Sequence, residues 1–79
     1  MTQLELENWL ASKGYQKDTY GHYQKEIEGK VYRYKLQSNS VRIERKAFIL
    51  DRNEWIKLRS GYYKNLFIGE DNKLRGKGR

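Results

Sequence analysis

Two alternating runs of apolar and polar residues, His22 to Glu28 and Lys30 to Gln37, meet at Glu28-Gly29. No other feature restricts the fold as strongly. Period-2 alternation on both sides of a two-residue Xaa-Gly step is the signature of an antiparallel hairpin closed by a tight turn. The spacing predicts Ile27 opposite Lys30, Lys25 opposite Tyr32, and Tyr23 opposite Tyr34. One face of the hairpin then carries Tyr23, Ile27, Tyr32, Tyr34 and Leu36, and the other His22, Gln24, Glu26, Val31, Arg33 and Lys35.

Upstream the period is helical. Leu6, Trp9, Leu10 and Lys13 follow 3- and 4-residue spacing, and Thr2 with Glu5 forms a capping box. Met1 and Leu6 flank that cap, and Gly14 is placed to end the helix, so a helix over 3–13 is expected. Downstream, Ser38-Asn39-Ser40 is a turn signal, and Val41 to Leu50 alternates as a strand. Apolar residues change face near Phe48, as a bulge or a doubly covered strand end would require. Asp51-Arg52-Asn53 turns the chain into a further strand, Trp55 to Ser60, which Ser60-Gly61 ends. Residues 62–68 suit a short helix or a last strand, and Asp71-Asn72 can turn into Lys73-Leu74-Arg75.

The expected fold class is therefore α+β: an N-terminal helix packed on one face of a four- to five-stranded antiparallel meander sheet. The helix would supply Leu6, Trp9 and Leu10 to the core. The sheet would supply Tyr23, Ile27, Tyr34, Leu36, Val41, Ile43, Ile56 and Leu58. Residues 1–72 read as a single compact domain. Residues 73–79, with Lys73, Arg75, Lys77 and Arg79 among glycines, read as a flexible basic tail.

Composition narrows the function. Leu, Ile, Val and Phe number 17 of 79 residues, which makes the core small and throws weight on seven Tyr and two Trp. There is no Cys, so disulfides, thiolate metal sites and a cysteine nucleophile are excluded, and a single His rules out a poly-His metal centre. No apolar run approaches the length of a bilayer span, and Met1 is followed by polar residues, so no membrane association and a cytoplasmic location are expected.

Seventeen Lys and Arg against ten Asp and Glu leave a net charge of +7, which favours polyanionic partners without naming one. With the strands in the register above, the outward sheet face would hold Arg33, Lys35, Arg42, Glu44, Lys46, Trp55, Lys57 and Arg59. Cations held on a sheet beside an aromatic ring meet the requirement for gripping a phosphate backbone while a base stacks. The plain alternative is that these are the solvent-facing residues of half-exposed strands. Tyr62 and Tyr63, next to Gly61, are further candidates for exposed contacts. Glu44 and Lys46 share the Glu-x-Lys spacing of many metal-dependent nucleases, with Asp51 or Glu54 as the nearest second carboxylate.

A helix, Gly14-Tyr15, Gly21-His22 and a hairpin starting at Tyr23 and turning at Gly29 follow one another over residues 3–37. In this order the chain is similar to HicA-type messenger-RNA interferase toxins. That resemblance implies an α-β-β-β-α fold like that of double-stranded-RNA-binding domains, with His22 as general acid or base. The chain departs from that pattern: no residue separates Gly21 from His22, the motif after the third strand is missing, and no long second helix follows.

The function expected from the residues is a small, non-catalytic nucleic-acid-binding module without cofactor or metal. Arg33, Lys35, Arg42, Lys46, Lys57 and Arg59 would hold phosphates, and Trp55 would offer a stacking surface. The alternatives are an interaction module docking an acidic protein and a HicA-like ribonuclease.

Overall fold

A computed structural model describes residues 1–47 and 54–77. Helix α1 spans Gln3–Ser12 and starts as its sequence dictates. The Glu5 N–H donates to the Thr2 hydroxyl at 3.2 Å, and the Thr2 N–H donates to the Glu5 carboxylate at 2.7 Å. Gly14, with φ +88°, supplies the left-handed residue just past the helix end.

Five strands then follow as a meander: β1 (Gln16–Lys17), β2 (Tyr23–Ile27), β3 (Lys30–Leu36), β4 (Ser40–Ala47) and β5 (Ile56–Tyr62). All pairings are antiparallel, and the spatial order is the chain order. The β2–β3 register is the one the alternation predicts, with Ile27 opposite Lys30 and Tyr23 opposite Tyr34. Glu28 (φ 52°) and Gly29 (φ 78°) both lie in the left-handed region, the geometry a type I′ turn needs to match the twist of its strands.

The inner sheet face meets α1 through a core of Leu6, Leu10, Tyr23, Tyr34, Val41 and Ile43, with Leu36 and Trp9 packed against it. A ten-residue helix is only about 15 Å long, so it covers one end of the sheet. Ile27, expected in the core, lies at the uncovered end and is 38% exposed.

Strand β5 departs from expectation. Its pairing steps from Arg59 opposite Ile43 to Lys57 opposite Glu44, so Leu58 is an extra residue without a partner. This bulge re-aims the strand. Ile56 and Leu58, expected inside, are 52% and 46% exposed, while Arg59, expected outside, is carried onto the inner face with Ile43. Ser60-Gly61 does not end the strand, which continues to Tyr62. The bulge expected near Phe48 and the turn at residues 51–53 fall outside the described residues.

Residues 62–68 resolve into both of their expected forms. A 3-10 turn, Tyr63–Asn65, leads into β6 (Leu66–Ile68), which pairs antiparallel with β7 (Leu74–Gly76). The expected boundary at residue 72 therefore falls inside a hairpin, and 74–76 are strand rather than tail. Leu74 packs on the core, and the Lys77 N–H extends the ladder to the Asn65 carbonyl at 2.7 Å.

This second sheet closes the open side of the core. Tyr63 is buried, correcting its expected exposure; its hydroxyl donates to the Gln37 carbonyl at 2.6 Å and its N–H to the Asn39 carbonyl at 3.0 Å. The Met1 nitrogen donates to the carbonyls of Tyr63 and Leu66, and the Trp9 indole N–H to that of Asn72 at 3.2 Å. Beyond residue 47 the described chain contains strands and one 3-10 turn, so the second helix of the α-β-β-β-α order is not found among the described residues.

Candidate functional site

The expected basic face exists, but its centre is occupied by a carboxylate. Glu44 projects from β4 opposite Arg33 on β3 and Lys57 on β5, and is only 3% exposed. Arg33 Nε donates to Glu44 Oε1 at 3.0 Å, and Arg33 Nη2 reaches the same oxygen. Arg42 Nε lies 2.9 Å from Oε2. Burial alone pushes the Glu44 carboxyl up. The Arg33 hydrogen bonds and the charges of Arg33, Lys35 and Arg42 outweigh it and hold the group below its usual 4.5.

Trp55 completes this cluster. The Arg33 guanidinium carbon sits 3.8 Å from the centre of the indole ring, and Lys46 Nζ sits 5.2 Å from it. Arg33 thus has its edge on Glu44 and a face on Trp55, an arrangement that suits a planar guanidinium and no other cation. Arg33, Arg42, Lys46 and Trp55 are brought together, with Lys35 beside Arg42 in register. Their first role is mutual: Arg33 is tied to Glu44, and one face of the Trp55 ring is covered by Arg33. The Glu-x-Lys pair does share this face, but both Glu44 oxygens are held by guanidinium groups.

A different grouping forms where β5 ends the sheet. A groove of about 600 Å³ runs between the free edge of β5 and the start of the segment following β7. Arg42, Lys57, Arg59 and Lys77 line it, together with Gln37, Asn65, Ser40 and Ser60, and among the described residues no carboxylate does. Lys57, Arg59 and Lys77 form no ion pair among the described residues. Arg42 contributes from the rim, its Nε on Glu44 and its side chain 46% exposed.

Three structural facts build this groove. As the last strand in the sheet order, β5 presents one edge that pairs with no strand among the described residues. The bulge at Leu58 turns Arg59 away from the Glu44 cluster. Gly76 lets the Arg59 guanidinium pass against the β7 backbone, at a place where a Cβ would collide with Arg59 Nη2. Asn65 and Gly76 were not among the residues expected at a site, and Lys77 was expected only within a flexible basic tail. Leu74, the one apolar anchor in the basic segment, and the Asp71-Asn72 turn were the signals that this segment folds back.

His22 is not part of either cluster. It follows a tight loop in which the Asp18 carboxylate accepts from the N–H groups of Tyr20 (2.9 Å) and His22 (2.8 Å) and from Gln24 Nε2 (2.9 Å). The His22 ring Nδ1 is 3.9 Å from Asp18 Oδ2, and the Tyr20 ring is tilted beside it. Burial acts upward on Asp18, and these three hydrogen bonds with the nearby His22 more than reverse it, lowering its pKa. No helix in the described structure is long and apolar enough to cross a membrane.

No protein-family model matches the sequence, and searches of curated proteins and of solved structures return no match.

Proposed function

We propose that the protein is a small, non-catalytic, cytoplasmic nucleic-acid-binding module, and that the groove beside β5 is where it holds the phosphate backbone. One observation carries this reading: Lys57, Arg59 and Lys77 line a single groove with Arg42 at its rim, and no carboxylate lines it among the described residues. Cations crowded without carboxylates repel one another, and a polyanion relieves that repulsion while releasing its condensed counterions. Amide and hydroxyl groups along the same groove suit phosphate oxygens, which take most protein–nucleic-acid hydrogen bonds. The outer-face residues Arg33, Lys35 and Lys46 with Trp55 then form a flanking basic surface rather than the grip itself. A non-catalytic role is supported by Glu44, whose two oxygens are held by Arg33 and Arg42.

Fluorescence anisotropy with labelled DNA and RNA across a salt series tests the proposal. Four phosphate contacts correspond to a slope in log affinity against log salt of about −3.6 on duplex DNA and about −2.8 on a single strand. Arg59→Glu with Lys77→Glu should remove most binding, whereas Lys35→Glu with Lys46→Glu should weaken it only severalfold. Binding that survives the first pair and fails with the second would move the site to the outer face.

The unpaired edge of β5, with Ile56 and Leu58 exposed beside Lys57 and Arg59, favours a second reading. An acidic protein segment could add there as a strand. That reading requires no affinity for generic RNA or DNA at moderate salt.

A further inference from the structure

On the inner face, where α1 stops short of the β2–β3 turn, lies a second cavity of about 290 Å³. Its size falls just under that of sites that enclose drug-sized ligands, about 300–1,000 Å³. Trp9, Tyr15 and Tyr34 line it. Tyr34 meets Trp9 at an interplanar angle of 65° and Tyr15 at 83°, so the three rings touch edge to face and none is stacked flat upon another. The indole plane is fixed, because its N–H donates to the Asn72 carbonyl at 3.2 Å.

The polar lining has one sign. Lys13, Lys25, Lys73 and Arg59 border the cavity, no carboxylate does, and none of the four forms an ion pair among the described residues. Lys13 Nζ and Lys25 Nζ stand 5.8 Å and 5.9 Å from the centres of the Trp9 and Tyr15 rings. Aromatic faces ringed by cations suit a planar group carried on an anionic chain. Arg59 borders this cavity and the groove beside β5 alike, so the two are neighbours that share one side chain.

We infer that this cavity receives one unstacked nucleobase while the adjoining groove holds the phosphates, so that the ligand class is single-stranded nucleic acid. The inference rests on the nucleic-acid reading of the groove and adds strand state to it. A base in a duplex would have to leave its stack to enter, at a cost of several kcal/mol; an unpaired base enters freely.

The test is anisotropy with an oligothymidylate, an abasic oligomer with the same number of phosphates, and a duplex of equal length. The oligothymidylate should bind on the order of tenfold more tightly than the abasic chain, and more tightly than the duplex. Its addition should shift the Trp9 indole N–H resonance, while the abasic chain should not. Ile27→Trp, at the exposed rim, should plug the cavity and lower oligothymidylate affinity to the abasic level, with an unchanged thermal melt showing that the fold is intact. Equal binding of the oligothymidylate and the abasic chain, with the salt slope retained, would overturn the base pocket and leave the groove standing. Absence of binding by all three would remove both. A poly-glutamate peptide that shifts the Trp9 resonance as strongly as the oligothymidylate would also overturn the assignment.

Discussion

The two basic regions of this molecule differ less in the number of their cations than in what stands among them. Around Glu44, Arg33 and Arg42 share one buried carboxylate, and Trp55 lies against the Arg33 guanidinium. Along the β5 edge, Arg59, Lys57 and Lys77 meet amides, hydroxyls and a glycine, with no carboxylate among the described lining residues. The first region is closed on itself and works for stability. In the second, Lys57, Arg59 and Lys77 have no ion-pair partner among the described residues. A count of Lys and Arg on a strand face does not separate these cases; the position of a single Glu does.

The sharpest way to break the comparison is Glu44→Ala. Removing the shared carboxylate leaves Arg33 confined beside Trp55 without its anion, and such a loss costs about 3 kcal/mol. In a domain whose whole stability is about 3–5 kcal/mol, that leaves about 0–2 kcal/mol, and urea unfolding should show a midpoint reduced by more than half. Were Glu44→Ala nearly neutral, the cluster would be a surface arrangement no different from the groove.

Titration separates the two faces of the sheet. The Glu44 carboxyl is held below its ordinary value, so the stability it provides is present above the unfolded-state pKa and is lost as pH falls through the folded one. Thermal melts should therefore drop below about pH 4.3, and Glu44→Gln should lack that contribution. On the inner face the sign is opposite. Burial, with the neighbouring Tyr15, pushes the Tyr34 hydroxyl up, and burial, with the neighbouring Tyr32, does the same for Tyr15. Their contribution is present below the unfolded-state value, about 10, and is lost as pH rises beyond it. Tyr34→Phe should flatten that alkaline loss.

A smaller effect tests how the groove is built. Gly76→Ala puts a methyl where Arg59 Nη2 lies, and the flexible end of the arginine has to move. Stability should change little, while nucleic-acid affinity should fall severalfold in the anisotropy assay. The smallest effect belongs to the uncovered part of the sheet: Leu58→Ser, at an exposed bulge residue, should stay within about 0.5 kcal/mol of wild type in urea. Val41→Ala, under the helix, should cost well over about 1 kcal/mol in the same measurement.

The parts of the fold that were legible in the sequence are those with local rules. Thr2 and Glu5 announce a helix start, and Glu28-Gly29 sets a register that the alternation on both sides then checks. Strand β5 was misread because a bulge adds one residue without changing composition, and one residue is enough to exchange Leu58 and Arg59 between faces. The β6–β7 hairpin was half legible: Asp71-Asn72 showed the turn, but three-residue strands have too little alternation to distinguish them from a tail. The site suffered most, because it depends on the two elements read least well. Lys57 and Arg59 were named for a face they only partly share, and Lys77 was assigned to a segment expected to have no fixed place.

The meander order has a kinetic consequence. Each of the five strands pairs only with its neighbours in the chain, so the sheet can zip turn by turn with short loops to close, a topology that favours rapid folding. The contacts that join the two ends of the described chain are of another kind: Met1 to Tyr63 and Leu66, and Trp9 to Asn72. Their loops span nearly the whole sequence, and closing them carries the largest entropic cost. The sheet is thus expected to form first and the β6–β7 hairpin to dock last, which makes the groove beside β5 the last feature assembled and the first to open.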